Sequence, residues 1–145
     1  MSIRRRAGRL LAVAAAVVGL TIPMTTSASA AHVYFQLSQR INSGESFWSA
    51  DGHLVMQGDG NLVLYCGTPA GKYLWDTATD GNPGAYAVFG GNGDLSVYTS
   101  TGIRVWSSGT AQRGVAYMRL QDDSNLVMYR DWQTPIWSTG TAGRC

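Results

Sequence analysis

Charge is scarce in this chain: Asp, Glu, Lys and Arg together make up 14% of its 145 residues. After residue 30 no cluster of Lys or Arg occurs, so the basic footprint that a nucleic-acid partner requires is absent. Long apolar runs are missing too. Leu10 to Leu20 is the one sustained run, and it is too short to span a bilayer comfortably. Few residues favour a long helix. Metal-ligand spacing is lacking: His32 and His53 lie far apart with no Cys or carboxylate set beside them, and they read as surface or strand-end residues. Catalytic sets are lacking as well. Asp122 and Asp123 are adjacent in a turn, where alternation points them apart, and Asp51 and Asp59 have no partner. An enzyme is therefore not expected, and neither a cofactor nor a metal is.

What is present begins with a leader. Arg4, Arg5, Arg6 and Arg9 form a basic start, Leu10 to Leu20 an apolar stretch, and Ala28-Ser29-Ala30 a small-residue cleavage site. That order is a secretory signal over residues 1–30, and it outweighs an uncleaved membrane anchor. The Arg pair leaves a twin-arginine export route open. Cleavage after Ala30 leaves 115 residues (145 minus 30), one domain spanning 31–145, with no transmembrane segment. Its formal charge is 7 minus 9, or −2, because four of the eleven basic residues and none of the nine acids lie in the leader. The expected location is extracellular.

An exported protein meets oxidising conditions, so Cys66 and Cys145 are expected to pair. The closed loop would be long, and the chain-entropy model gives such a link roughly 4–5 kcal/mol. A free terminal thiol and an intermolecular bridge are the rival readings.

Internal repetition decides the architecture. Leu54-Val55-Met56-Gln57-Gly58-Asp59-Gly60-Asn61-Leu62-Val63-Leu64-Tyr65 recurs as Ala87 to Tyr98 and again as Met118 to Tyr129. A tryptophan follows each copy, at Trp75, Trp106 and Trp137, spaced 31 and 31 residues apart. Ser107-Ser108-Gly109-Thr110 and Ser138-Thr139-Gly140-Thr141 extend the match. In each copy a short apolar strand reaches Gln57 or its equivalent. Gly58-Asp59-Gly60 supplies turn chemistry. Asn61 to Tyr65 returns, and Tyr73 to Asp76 forms a further strand. One more strand before each hairpin would give four per copy. Leu62 and Leu64 alternate against Asn61, Val63 and Tyr65, as Leu126 and Met128 do against Asn125, Val127 and Tyr129. The leucine sides and the three tryptophans are expected to face a shared centre, since one small sheet buries little alone. Core packing is the reading for these tryptophans, with sugar stacking the lesser alternative.

The opposite face carries Gln57, Asp59, Asn61 and Tyr65 around an apolar Val63. A carboxylate accepts hydrogen bonds, an amide does both, and a phenol does either, as a sugar's hydroxyls require. Val63 offers a small apolar surface to ring carbons. Any one of these residues could merely satisfy the turn. The whole pattern Gln-x-Asp-x-Asn-x-Val-x-Tyr, however, stands complete twice, the second time as Gln121, Asp123, Asn125, Val127 and Tyr129.

These two nine-residue stretches resemble the signature of the bulb-type, or monocot mannose-binding, lectins, and the resemblance covers about the whole mature chain, from the Gly44-Glu45 stretch to the Trp137 unit. It implies an all-β fold, the β-prism II: three four-stranded antiparallel sheets around a pseudo-threefold axis. It also implies one mannose pocket per intact motif. Asp59 and Asn61 would hold the 2-hydroxyl, Gln57 the 3-hydroxyl and Tyr65 the 4-hydroxyl, with Val63 against the ring. Gln121, Asp123, Asn125, Val127 and Tyr129 would do the same. The middle copy departs, with Gly90, Asn92, Asp94 and Ser96 at the first four positions and only Tyr98 retained, so its pocket is expected to be weak or dead. In the plant pattern a disulfide ties the first two units. Cys66 and Cys145 do not match it, so that connectivity does not carry over.

The expected function is thus a secreted lectin for mannose-type glycans, gaining avidity from two sites or from a homodimer. A lectin-like bacteriocin on the same fold is the alternative. A protease inhibitor would need a protruding loop, for which only Cys66 to Tyr73 is available.

Overall fold

The computed structural model describes residues 31–67 and 71–145. The signal segment expected over 1–30 lies outside them, as does part of the Cys66–Tyr73 loop.

The described residues form twelve short strands. Three come first: β1 (Val33–Phe35), β2 (Gln39–Ile41) and β3 (Ser46–Trp48). Each repeat then supplies three more. They are β4 (Gly52–Met56), β5 (Leu62–Cys66) and β6 (Tyr73–Asp76); β7 (Tyr86–Phe89), β8 (Leu95–Tyr98) and β9 (Arg104–Ser107); and β10 (Tyr117–Leu120), β11 (Leu126–Tyr129) and β12 (Pro135–Ser138). These make three four-stranded sheets, ordered β3-β4-β5-β6, β2-β7-β8-β9 and β1-β10-β11-β12. Neighbouring strands pair antiparallel.

The fourth strands correct the sequence expectation in two of the three repeats. Only β3 directly precedes its own hairpin; all three come from the N-terminal run 33–48, dealt out one to each sheet, so β1 and β2 join hairpins far along the chain. Val33 pairs with Leu120, Gln39 with Phe89 and Ser46 with Val55. The physical reason lies in the linkers 77–85 and 108–116, whose backbone is spent elsewhere. Asn82 N and Gly84 N donate to Asp59 O and Gly58 O, and Gln112 N donates to Asn92 O. Gly143 N donates to Asp123 O in the same way after the last repeat. Each hairpin turn is thereby tied down by the segment that follows its own sheet.

Alternation sorts the faces as expected. Leu54, Met56, Leu62 and Leu64, then Phe89, Leu95 and Val97, then Met118, Leu120, Leu126 and Met128 are fully buried in one common core. Phe35 and Ile41 join it from β1 and β2. Burying each such side chain contributes about 1.5–3 kcal/mol. Trp75, Trp106 and Trp137 meet edge to face, with ring centroids 5.6, 5.7 and 6.2 Å apart, and pack against that core. Their 31-residue spacing puts one on the last strand of each sheet. The three are half-buried, which agrees with a packing role.

The disulfide joins Cys66 to Cys145, with Cα atoms 5.6 Å apart across 79 residues of sequence. It ties the end of β5 to the chain terminus, so the intramolecular reading of the two cysteines holds.

Candidate functional site

Each motif sits on the middle hairpin of its sheet, and a β-bulge shapes its end. The register shifts between Leu64 and Tyr65, between Val97 and Tyr98, and between Met128 and Tyr129. The bulge falls just before the motif tyrosine in all three sheets, where it re-aims that side chain. The turn between the hairpin strands depends on Gly60, whose φ is +97°. A Cβ there would stand 2.2 Å from Asn82 O of the overlying linker, so only glycine fits.

In the first unit hydrogen bonds join four of the motif residues in two pairs. Gln57 Nε2 donates to Tyr65 Oη at 2.8 Å, and Asp59 Oδ1 accepts the Asn61 N–H at 3.0 Å. Asp59 is exposed, and Gln57 and Tyr65 are half-buried. Val63, at 2% exposure, is covered because β5 is flanked on both sides by β4 and β6. In the third unit Gln121 Nε2 donates to both Asp123 oxygens at 3.2 Å, and Tyr129 Oη donates to Gln121 Oε1. Asp123 Oδ1 accepts the Asn125 N–H at 3.0 Å. The neighbouring Asp122 turns away to His32, 3.2 Å from its Nδ1, as alternation requires.

Asn61 does more than the sequence reading assigned to it. It is 7% exposed, and its Oδ1 accepts from the Thr77 hydroxyl at 3.1 Å and the Thr79 N–H at 3.2 Å. Asn125 Oδ1 accepts from the Thr139 hydroxyl at 2.9 Å and the Thr141 N–H at 3.2 Å. Thr79, Thr110 and Thr141 each donate in turn to the turn carbonyl of Gly60, Gly93 or Ser124 at 2.7 Å. These hydroxyl pairs were missed as site-building residues. Their signal is legible, however, as Trp-(Asp/Ser)-(Thr/Ser)-x-Thr after each repeat. The motif asparagine therefore offers a ligand only its Nδ2. Among the described residues Asn125 Nδ2 has no protein acceptor, whereas Asn61 Nδ2 donates to Asp76 Oδ2 at 2.9 Å. Asp76 stands where the other repeats have Ser107 and Ser138, and it is a second residue that sequence reasoning passed over.

A concavity lies at the β11–β12 turn, lined by Asp131, Trp132, Gln133 and Thr134. In each motif the Gln, Asp and Tyr side chains are at least partly exposed, while the valine, Val63 or Val127, is buried.

No protein-family model matches the chain, and no curated protein sequence does. Solved structures do match. The mannose-specific bulb lectin of bluebell (Scilla campanulata) is 31% identical, with 77% of this chain and 98% of that one covered and a TM-score of 0.57. The mannose-specific agglutinin of snowdrop (Galanthus nivalis) bulbs, solved with methyl-α-D-mannoside, is 30% identical over 76% of this chain and 95% of that one, TM-score 0.59. A monomeric monocot mannose-binding lectin of Gastrodia elata is 27% identical over 75% and 97%, TM-score 0.66. The chain belongs to the bulb-type lectin family. Its fold is the β-prism II, and as a lectin it is a carbohydrate-binding protein and not an enzyme.

The middle unit of this lectin is built differently. Asp94, 3% exposed, replaces the asparagine. Its Oδ2 accepts from Ser96 at 2.6 Å and Ser107 at 2.7 Å; its Oδ1 accepts from Ser108 and the Thr110 N–H, each at 3.0 Å. Burial raises the carboxyl's pKa, but these four hydrogen bonds outweigh it and hold the group below its ordinary value. Asn92 Oδ1 caps the Asp94 N–H at 3.1 Å. Tyr98 stacks on Tyr86, and the Arg40 guanidinium lies 3.5 Å above the Tyr86 ring. His53 also departs from a plain strand-end residue. It lies within β4, stacked on Trp48 at 3.6 Å, and burial lowers its pKa.

Proposed function

We propose that this protein is a secreted lectin that recognises mannose or mannose-containing glycans through two sites. One comprises Gln57, Asp59, Asn61, Val63 and Tyr65; the other comprises Gln121, Asp123, Asn125, Val127 and Tyr129. The observation that carries this reading is the recurrence of one polar cluster, on one hairpin position, in two of three sheets, each fixed by the same threonine pair. The bound mannosides of relatives support the sugar class: the snowdrop agglutinin was solved with methyl-α-D-mannoside and a Polygonatum cyrtonema lectin with a monomannoside. The Nδ2 donors and the open carboxylate lone pairs of Asp59 and Asp123 meet vicinal hydroxyls, while Val63 and Val127 lie between them and the tyrosines. In the middle unit the Asp94 oxygens already accept four hydrogen bonds, so that unit is not counted as a site. The leader over residues 1–30 and the Cys66–Cys145 disulfide both suit an extracellular location.

Calorimetric titration with methyl-α-mannoside tests the reading. Two equivalents bound by the intact protein, and one by a Gln57→Ala/Tyr65→Phe variant, are expected. A folded protein giving no heat with mannosides would remove it.

A further inference from the structure

The two candidate sites differ in one residue that changes their chemistry. Within the aligned repeats Val55 and Val88 are followed by Arg119 at the third copy. Arg119 lies on β10 between Tyr34 and Val127. Its Nη2 donates to Gln121 Oε1 and to Tyr129 Oη, both at 3.1 Å. The guanidinium is thus inserted among the polar atoms of the third motif. Its Nε is buried and has no hydrogen-bond partner. Among the described residues no carboxylate reaches it; the ion pairs formed are His32 with Asp122 and Arg104 with Asp94. The faces of Tyr129 and Tyr34, 5.0 and 6.0 Å from the guanidinium carbon, are its remaining support. A half-buried cation lacking a counter-charge is unfavourable, and an anionic group on a ligand would offset that.

We propose that the third site takes a sugar bearing a carboxylate, a uronic acid, with Arg119 as the residue that recognises the acid group. This rests on the reading of Gln121 to Tyr129 as a sugar site. A guanidinium N–H makes a strong, charge-assisted hydrogen bond to a carboxylate; with Nη2 engaged by Gln121 and Tyr129 and Nε buried, Nη1, which among the described residues donates to no protein acceptor, is the group left for the ligand's acid. Gln121 stands between two unlike ends, its Oε1 toward Arg119 and its Nε2 toward Asp123. Hydroxyls are read at the aspartate end and the anion at the arginine end. The first site has the opposite character. Val55 brings no charge, and Asp76 adds a second carboxylate next to Asn61, so an acidic sugar is repelled there.

D-mannose and D-mannuronate differ only in the oxidation of C6, and they form the test pair. Both are titrated calorimetrically into the Gln57→Ala/Tyr65→Phe protein, where only the third site remains, with and without Arg119→Val. At low salt the Arg119 protein is expected to bind mannuronate about tenfold tighter than mannose. The preference shrinks with added salt and disappears in R119V. Mannose bound as tightly as mannuronate, or a preference that survives in R119V, overturns the assignment of Arg119 and leaves the mannose reading standing. If neither sugar binds to protein that retains its tryptophan near-ultraviolet dichroism, the third motif is not a sugar site and both proposals fall together.

Discussion

Asn125 holds Thr141: its Oδ1 accepts the Thr141 N–H at 3.2 Å, the contact that Asn61 makes with Thr79 in the first unit. The residue most naturally assigned to sugar recognition is also a strut of the fold, and its two ends have separate duties. Asn125→Ala strands the Thr139 and Thr141 donors and is expected to cost roughly 2–3 kcal/mol. Asn125→Asp keeps an acceptor there, as Asp94 does in the middle unit, and shifts stability by less than about 1 kcal/mol. It still removes the Nδ2 donor. Urea unfolding beside sugar titration of the two variants separates these duties: both lose the third site, and only the alanine variant melts early.

Gly60 and Gly58 are neighbours in the same turn with different constraints. Gly60 has φ +97° and would place a Cβ 2.2 Å from Asn82 O, whereas a Cβ on Gly58 meets open space. Gly60→Ala is expected to lose more than about 2 kcal/mol, from the left-handed backbone and the collision together. Gly58→Ala stays within about 0.5 kcal/mol of the parent. Chemical denaturation of the pair checks the difference.

The Cys66–Cys145 link closes 79 residues of sequence. By chain entropy its removal in a Cys66→Ser/Cys145→Ser protein lowers stability by about 4.5 kcal/mol. The same shift is expected for the parent protein unfolded under reducing conditions. A denaturation midpoint insensitive to reductant would contradict it.

His53 is kept neutral by burial, which lowers its pKa below 6.5. The folded state then binds this proton less readily than the unfolded chain does. The stabilisation is complete above about pH 6.5 and is lost as pH falls through the lower, folded value. Protonation also places a cation 3.6 Å from the Trp48 ring and quenches its emission. Fluorescence and urea midpoints followed from neutral to mildly acidic pH are expected to fall together. A His53→Phe variant shows neither component.

Much of this was open to a reader of the residues alone. The tryptophans at a 31-residue spacing disclose three units, and period-two alternation from Leu62 to Tyr65 sorts inner from outer side chains. The strand Tyr73–Asp76 is where the pattern puts it. The source of the fourth strands was not legible. Val33–Phe35, Gln39–Ile41 and Ser46–Trp48 are three residues each, too short to show a period, and two of them pair with partners far along the chain. The motif residues were legible as a set, but their atoms were not. Only coordinates reveal that the Asn61 and Asn125 oxygens are already engaged by threonines, or that Arg119 reaches Gln121 and Tyr129. The substitution of Val by Arg at that position is visible in the aligned repeats, yet its meaning depends on where a long side chain comes to rest.

Because residues 33–48 deal one strand to every sheet, no third of this molecule is autonomous. Val33 finds Leu120 across 87 residues of sequence (120 minus 33). Closure of the prism therefore waits on a long-range pairing and is a late event in folding. A fragment ending after the second unit leaves Val33–Phe35 without a neighbour, and a truncation that removes 33–48 bares an edge on all three sheets at once. Repetition in this protein is a matter of geometry; cooperativity belongs to the whole.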